Sequence, residues 1–221
     1  MNHMGQFFLK LGLGLAASML LWASIAVTPA NAASITFNFS GVVTGVGAQL
    51  GTSTFHTGDA ASGFFTFNSA TAGVGGAAIA TYNGTISNLV VHIGSYNAIL
   101  GAPGSNFIRV ENLPHLDSYT MQAPVTGATV DGNTPHYFTI ELADSTHTAF
   151  NNDLLPTTPP NLASFATHTF RLVFNGGPMA TVSGVITAIP LPAAVILFGA
   201  GLVALVGLGA GSWRQRKNSL A

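Results

Sequence analysis

A two-residue period in the middle of this chain constrains its fold more than any other feature. Ile35, Phe37 and Phe39 alternate with Thr36, Asn38 and Ser40. Phe138, Ile140 and Leu142 alternate with Thr139 and Glu141, and Phe170, Leu172 and Phe174 with Arg171 and Val173. Successive side chains of an extended strand point to opposite faces, so each run has one face to bury and one to leave in water. Gly63–Phe67, Thr85–Ile93, Phe107–Val110, Tyr119–Met121 and Val182–Ile186 are further strand candidates, separated by turns containing Gly or Pro/Asn. No long stretch has the 3.6-residue period of a helix. The pattern predicts an all-β domain, an antiparallel β-sandwich of jelly-roll or immunoglobulin-like type with roughly eight to ten strands. A barrel of similar strand number is the alternative.

The alternation stops at both ends. Lys10 precedes an apolar run from Leu11 to Val27, followed by Pro29 and the triplet Ala30-Asn31-Ala32. A charged start, an apolar centre and an A-x-A site have the order of an export signal, which predicts a signal helix over 1–32 and cleavage after Ala32, with Ala30 and Ala32 as the recognised small residues. At the other end, the nineteen residues Ala193–Gly211 carry no charge. At about 1.5 Å per residue they reach about 28 Å, close to the thickness of a bilayer's hydrocarbon core. A transmembrane helix over 193–213 is expected. Arg214, Arg216 and Lys217 follow it and make up half of the chain's six basic residues. Such a cluster acts as a cytoplasmic stop and places the domain 33–188 outside.

The charge balance excludes several functions. Six Lys+Arg and a net charge of −1 do not supply the phosphate-neutralising surface of a nucleic-acid binder. With no cysteine there is no disulfide framework, thiolate metal site or cysteine nucleophile. A chain 48% hydrophobic and 6% charged is the opposite of a disordered one. Within 33–188, Arg109 and Arg171 face all seven acidic residues, leaving a mildly acidic domain of about −5 with the histidines neutral.

Ile189-Pro190-Leu191-Pro192-Ala193-Ala194 leads into Val195-Ile196-Leu197-Phe198-Gly199-Ala200-Gly201-Leu202, and the Arg214/Arg216/Lys217 cluster closes the chain. This tail resembles the C-terminal sorting signal of PEP-CTERM proteins, in the subgroup where a V-P-L-P-A-A-like element replaces Pro-Glu-Pro. Here Ile189 stands where valine is usual, and Leu191 where the larger family has glutamate. The resemblance covers the region 189–221. It implies a substrate of exosortase, the membrane transpeptidase-like enzyme of Gram-negative bacteria that make exopolysaccharide and biofilm, with Pro190, Leu191 and Pro192 as the sorting motif. It also implies export with signal peptidase as the first processing partner, transient membrane anchoring, and delivery to the cell surface or matrix in a structural or adhesive role. The local chemistry agrees, because two prolines flanking one residue hold the backbone extended, as a protease cleft requires. Asp153-Leu154-Leu155-Pro156, Pro159-Pro160-Asn161-Leu162 and Phe170-Arg171-Leu172 resemble a stretch that precedes this signal in many small members of the family.

Chemistry-bearing residues in the domain are sparse. His56, His92, His115, His136, His147 and His168 are scattered, and none has the H-x-H or H-E-x-x-H spacing that sets two imidazoles on one metal. His56/Asp59 and Asp144/His147 are the close pairs. Asp131, Asn133, Asn151, Asn152 and Asp153 carry oxygens suited to Ca²⁺, yet neither cluster completes a D-x-D-x-D-G loop. A glycoside hydrolase needs two carboxylates about 5–10 Å apart, and Glu111 with Glu141 is the pair to consider. No G-x-S-x-G is present, and Gly73–Ala78 lacks the Lys-Ser/Thr of a phosphate loop, which leaves it a hairpin tip. No catalytic, cofactor or metal residue is therefore assigned, no cofactor is expected, and the protein is expected not to be an enzyme. Binding has more support. The aromatics Phe64, Phe65, Tyr82, Tyr96, Phe107, Tyr119, Tyr137 and Phe138 include adjacent pairs, of which one member faces away from the core. Exposed rings beside Asn, Thr and Ser are how β modules hold sugars, so a carbohydrate-binding module for matrix polysaccharide is the alternative function and burial of the rings the competing reading. The stretch Ala143–Ala163, with Pro156, Pro159 and Pro160, is expected to be a long loop.

Overall fold

The computed structural model describes residues 34–51, 53–102 and 105–189. The alternating segments form strands in chain order: β1 (Ser34–Val46), β2 (Ala60–Asn68), β3 (Ile79–Asn83), β4 (Ile86–Ile93), β5 (Tyr96–Leu100), β6 (Phe107–Leu113), β7 (Leu116–Gly127), β8 (Pro135–Asp144), β9 (Thr167–Phe174) and β10 (Thr181–Ala188). Short 3₁₀ turns at Ala48–Leu50, Leu162–Ser164 and Gly177–Met179 interrupt the connections. The expected helices over 1–32 and 193–213 lie outside the described residues. Among the described residues no helix is long and apolar enough to cross a membrane.

The sandwich expectation is overturned. Antiparallel pairing runs β7-β5-β4-β2-β1-β10-β9-β8, and β8 pairs back onto β7 from Asp117↔Asp144 to Pro124↔Tyr137, closing an eight-strand barrel. Sandwich and barrel strands share the same in/out alternation, so period alone does not separate a jelly roll or immunoglobulin-like pair of sheets from one closed sheet. Closure needs both the β7–β8 hairpin and the pairing of β1 with β10, which lie at opposite ends of the domain in sequence. Here it is achieved by the length of β7, whose twelve residues serve three partners. One edge takes β8; the other takes β6 along Leu116–Gln122 and β5 along Val125–Gly127. β3 joins the outer side of β6, so β3 and β6 form a flap beside the barrel.

The inward residues fill the barrel. Phe37 meets Phe65 and Phe67 edge-on at 5.5 and 5.2 Å, and Phe138 stacks on Phe39 at 5.4 Å and on Phe170 at 6.0 Å. An eight-strand barrel is just wide enough for side chains to fill, and the seven buried Phe rings of its strands do so with Leu, Ile and Val between them. Room for Phe170 comes from Gly184, where a Cβ would overlap the Phe170 ring and the Val42 carbonyl.

Each pole has its own closure. At the pole where β1 ends and β10 begins, Phe55, which belongs to no strand, packs against Tyr96 at 5.0 Å and Phe174 at 5.9 Å. Asp131-Gly132 turns the chain from β7 into β8 there, with φ of 49° and 79° and both Val130–Asn133 backbone hydrogen bonds made at 2.9 Å. Positive φ at both central residues is the geometry of a type I′ hairpin, matched to the twist of its strands. At the opposite pole the long β8–β9 connection buries Leu155 and Phe165 in the core cluster, with Phe150 edge-on to Phe165 at 5.5 Å.

Outward positions are mostly hydroxyl and amide side chains: Thr36, Asn38 and Ser40 on β1, Ser62 and Thr66 on β2, Thr139 on β8, Thr169 and Arg171 on β9, Ser183 on β10. A polar exterior around an apolar interior is the inverse of a membrane-spanning barrel's pattern.

Candidate functional site

On the outer face of β8, β9, β10 and the end of β1, near the Phe55 pole, lies an open groove of about 710 Å³. Strand register explains its construction. Outward residues Tyr137, Val173 and Thr181 form one row across β8, β9 and β10, and Thr139, Arg171, Ser183 and Gly45 form the next. Tyr137 and Arg171 rise from β8 and β9. Across β10 the groove is lined by Gly45 at the end of β1 and Gly47 just beyond it, which bring no side chain to it. Both glycines are also dictated by close approach: a Cβ on Gly45 would lie 2.9 Å from Ser183 Oγ, and one on Gly47 would overlap the Met179 carbonyl.

The groove combines one ring face with hydrogen-bonding groups. The exposed His136 packs edge-on to Tyr137 with centroids 5.2 Å apart. Arg171 donates to Glu141 Oε2 at 3.1 Å, an ion pair with both side chains substantially exposed. Such a pair adds about 0–1 kcal/mol to stability, and a guanidinium has five N–H donors in a fixed fork. Asn175, Thr181 and Ser183 complete the polar lining, and Val173 gives an apolar floor. The expectation for adjacent aromatics fits the geometry here: Phe138 faces the core while Tyr137 faces out, and Phe65 is buried while Phe64 lies on the outer face of β2. Tyr82, Tyr96 and Tyr119 are instead core residues. Burial pushes Tyr96 up to about 12 while its hydroxyl donates to the Ala128 carbonyl at 2.8 Å.

The carboxylates considered for hydrolysis do not form a paired-acid cleft. Glu111 on β6 lies opposite Ser118 and Glu141 on β8 opposite Thr120, so their backbones are separated by two strand spacings and offset by two residues along β7, more than about 10 Å in all. Glu111 is held by Arg109 and by Ser118 Oγ at 2.6 Å, while Glu141 is held by Arg171. The oxygen-rich clusters are separated too. Asp131 and Asn133 build the type I′ turn, where Asn133 Nδ2 donates to the Gln49 carbonyl at 3.1 Å. Asn152 and Asp153 lie in the β8–β9 loop at the other pole, Asn152 Oδ1 accepting from Leu154 N at 3.0 Å and the Asp153 carbonyl accepting from Tyr82 O–H at 2.9 Å. Burial, followed by the nearby Asp153 carboxylate, raises the Tyr82 phenol. Among the described residues no three His, Asp or Glu side chains are placed to share a metal ion. Gly73–Ala78 is more ordered than a bare hairpin tip, since Val74 exchanges both backbone hydrogen bonds with Thr81 at 2.9 Å.

The Asp144/His147 spacing marks the right segment with the wrong partner. His147 Nδ1 lies 2.9 Å from Asp117 Oδ1, whereas Asp144 accepts from Thr146 N and Oγ1 at 2.9 and 2.7 Å and from Thr148 N at 2.9 Å. Asp117 Oδ2 also accepts from Ala149 N and Phe150 N at 2.9 and 2.8 Å. Two buried aspartates, opposite each other in the β7–β8 register, thereby clamp the start of the long loop. His56 pairs with Asp59 at 3.7 Å, His92 with Asn97, and His168 with the Ile186 carbonyl at 2.6 Å. Ala30, Ala32, Pro190, Leu191, Pro192, Arg214, Arg216 and Lys217 lie outside the described residues.

No family model, curated protein or solved structure matches the chain.

Proposed function

We propose that this chain is an exported, non-enzymatic protein of the cell surface or extracellular matrix, cut by signal peptidase after Ala32, held transiently by residues 193–213, and recognised by an exosortase at Pro190-Leu191-Pro192. Its role is structural or adhesive within exopolysaccharide. One feature of the sequence supports the reading: a Pro-x-Pro element, an uncharged run of membrane-spanning length and a basic cluster follow the barrel domain in that order. The barrel gives support of a different kind. With its interior filled, it offers partners its outer surface and not a lumen.

The test is made in the native host, comparing the full chain with one lacking residues 190–221. Delivery to the surface or matrix should be lost on deletion, and Pro190→Ala with Pro192→Ala should hold the unprocessed chain in the membrane fraction. Unchanged delivery of the deleted chain overturns the sorting reading. A second reading, binding of matrix polysaccharide, is favoured by Tyr137 lying in one open groove with Arg171 and Asn175.

A further inference from the structure

We infer that the groove formed by β8, β9, β10 and the end of β1 binds an uncharged polysaccharide chain, an inference that rests on the second reading above and names its site and ligand class. Three features of the groove select this ligand. The groove is open along the outer face and spans three strand spacings, about 14 Å from β8 to β1, so it accommodates the interior of a polymer and does not enclose a small molecule. Its lining matches a sugar's two kinds of surface. Tyr137 and Val173 meet the apolar C–H face of a pyranose ring, while Arg171, Asn175, Thr181 and Ser183 meet its hydroxyls. The charge excludes an acidic polymer: Glu141 already neutralises Arg171, and the surrounding domain is acidic, so a uronate chain would gain no unopposed cation and meet a repulsive field.

Affinity electrophoresis of the full-length chain in neutral detergent tests this, using gels containing hydroxyethyl-cellulose, dextran or galactomannan and, separately, alginate. Retardation is expected in at least one neutral gel, unaffected by 0.5 M salt. Tyr137→Ala should weaken it at least about tenfold, as loss of a central aromatic anchor does, and Tyr137→Phe should preserve it. Arg171→Met should weaken it, while Phe64→Ala, on the outer face of β2 away from the groove, should leave it unchanged. Each variant's melting curve is recorded alongside, and if Tyr137→Ala fails to fold, Arg171→Met and Tyr137→Phe still decide the matter. Migration unchanged in every neutral gel, retention only by alginate and abolished by salt, or full retention by a folded Tyr137→Ala would each overturn the inference. Because binding is read on purified protein, its failure leaves the sorting reading standing, and failure of the tail-deletion test leaves binding standing.

Discussion

Asp144 commits both carboxylate oxygens to the chain that follows it, and this has a consequence for acid stability. The Thr148 backbone N–H, then the Thr146 hydroxyl and N–H, hold its carboxyl well below the usual range. A carboxyl whose pKa is lowered by folding stabilises the native state above its unfolded pKa, near 4, and that contribution is lost as pH falls below it. Thermal melts at pH 7, 4 and 2.5 should therefore show a decline for the native chain. Asp144→Ala should melt lower at pH 7 and lose less on acidification; a variant with the native pH slope would refute the clamp. Tyr119 is the reverse case. Its hydroxyl is buried with no hydrogen-bond partner among the described residues, and burial pushes the phenol up. An unmet buried hydroxyl costs about 1–3 kcal/mol, so Tyr119→Phe should melt at the same temperature or a few degrees higher. Neither feature was legible from spacing. The sequence placed Asp144 three residues before His147, but the histidine's partner, Asp117, is thirty residues earlier and reaches it only through the β7–β8 register.

Most strands could be read because one rule dictates them: a strand with one buried face alternates. β1, β8 and β9 show it directly, β4 lies within the run Thr85–Ile93, and β2, β6, β7 and β10 each contain a shorter run. β3 and β5 were not anticipated. β3, Ile79–Asn83, follows a glycine-rich stretch and contributes few apolar side chains. β5, Tyr96–Leu100, is separated from β4 only by Gly94-Ser95, so the two blend into one segment. Packing between elements was less legible still, because it depends on which residues meet across strands. Gly184→Ala tests one such meeting. The added methyl must displace Phe170 or the β1 backbone, and overpacking of this kind costs about 1–3 kcal/mol, measurable as a lower denaturant midpoint. Phe55→Ala tests another: opening the plug between Tyr96 and Phe174 should cost about 3–5 kcal/mol. A loss below 1 kcal/mol would show that the pole collapses around the gap.

For the molecule as a whole, closure depends on β7 and β8 finding each other while β1 and β10 pair from opposite ends of the domain. The Asp131-Gly132 turn marks the first pairing locally, but nothing in the local sequence records the second, so alternation alone does not separate a sandwich from a barrel. The groove was foreshadowed only by the Tyr137-Phe138 pair, since Gly45, Arg171 and Ser183 become neighbours only when the ring closes. Closure also fixes how the barrel would carry load. β1 begins and β10 ends at the same pole, whereas the groove lies toward the other, and the eight residues of β10 span about 26 Å between them. A tether beyond Ile189 and a polymer seated in the groove would thus pull along β10 from opposite ends. Tension in that direction shears the β10 ladders against β1 and β9, so their hydrogen bonds must fail together and cannot be unzipped one at a time.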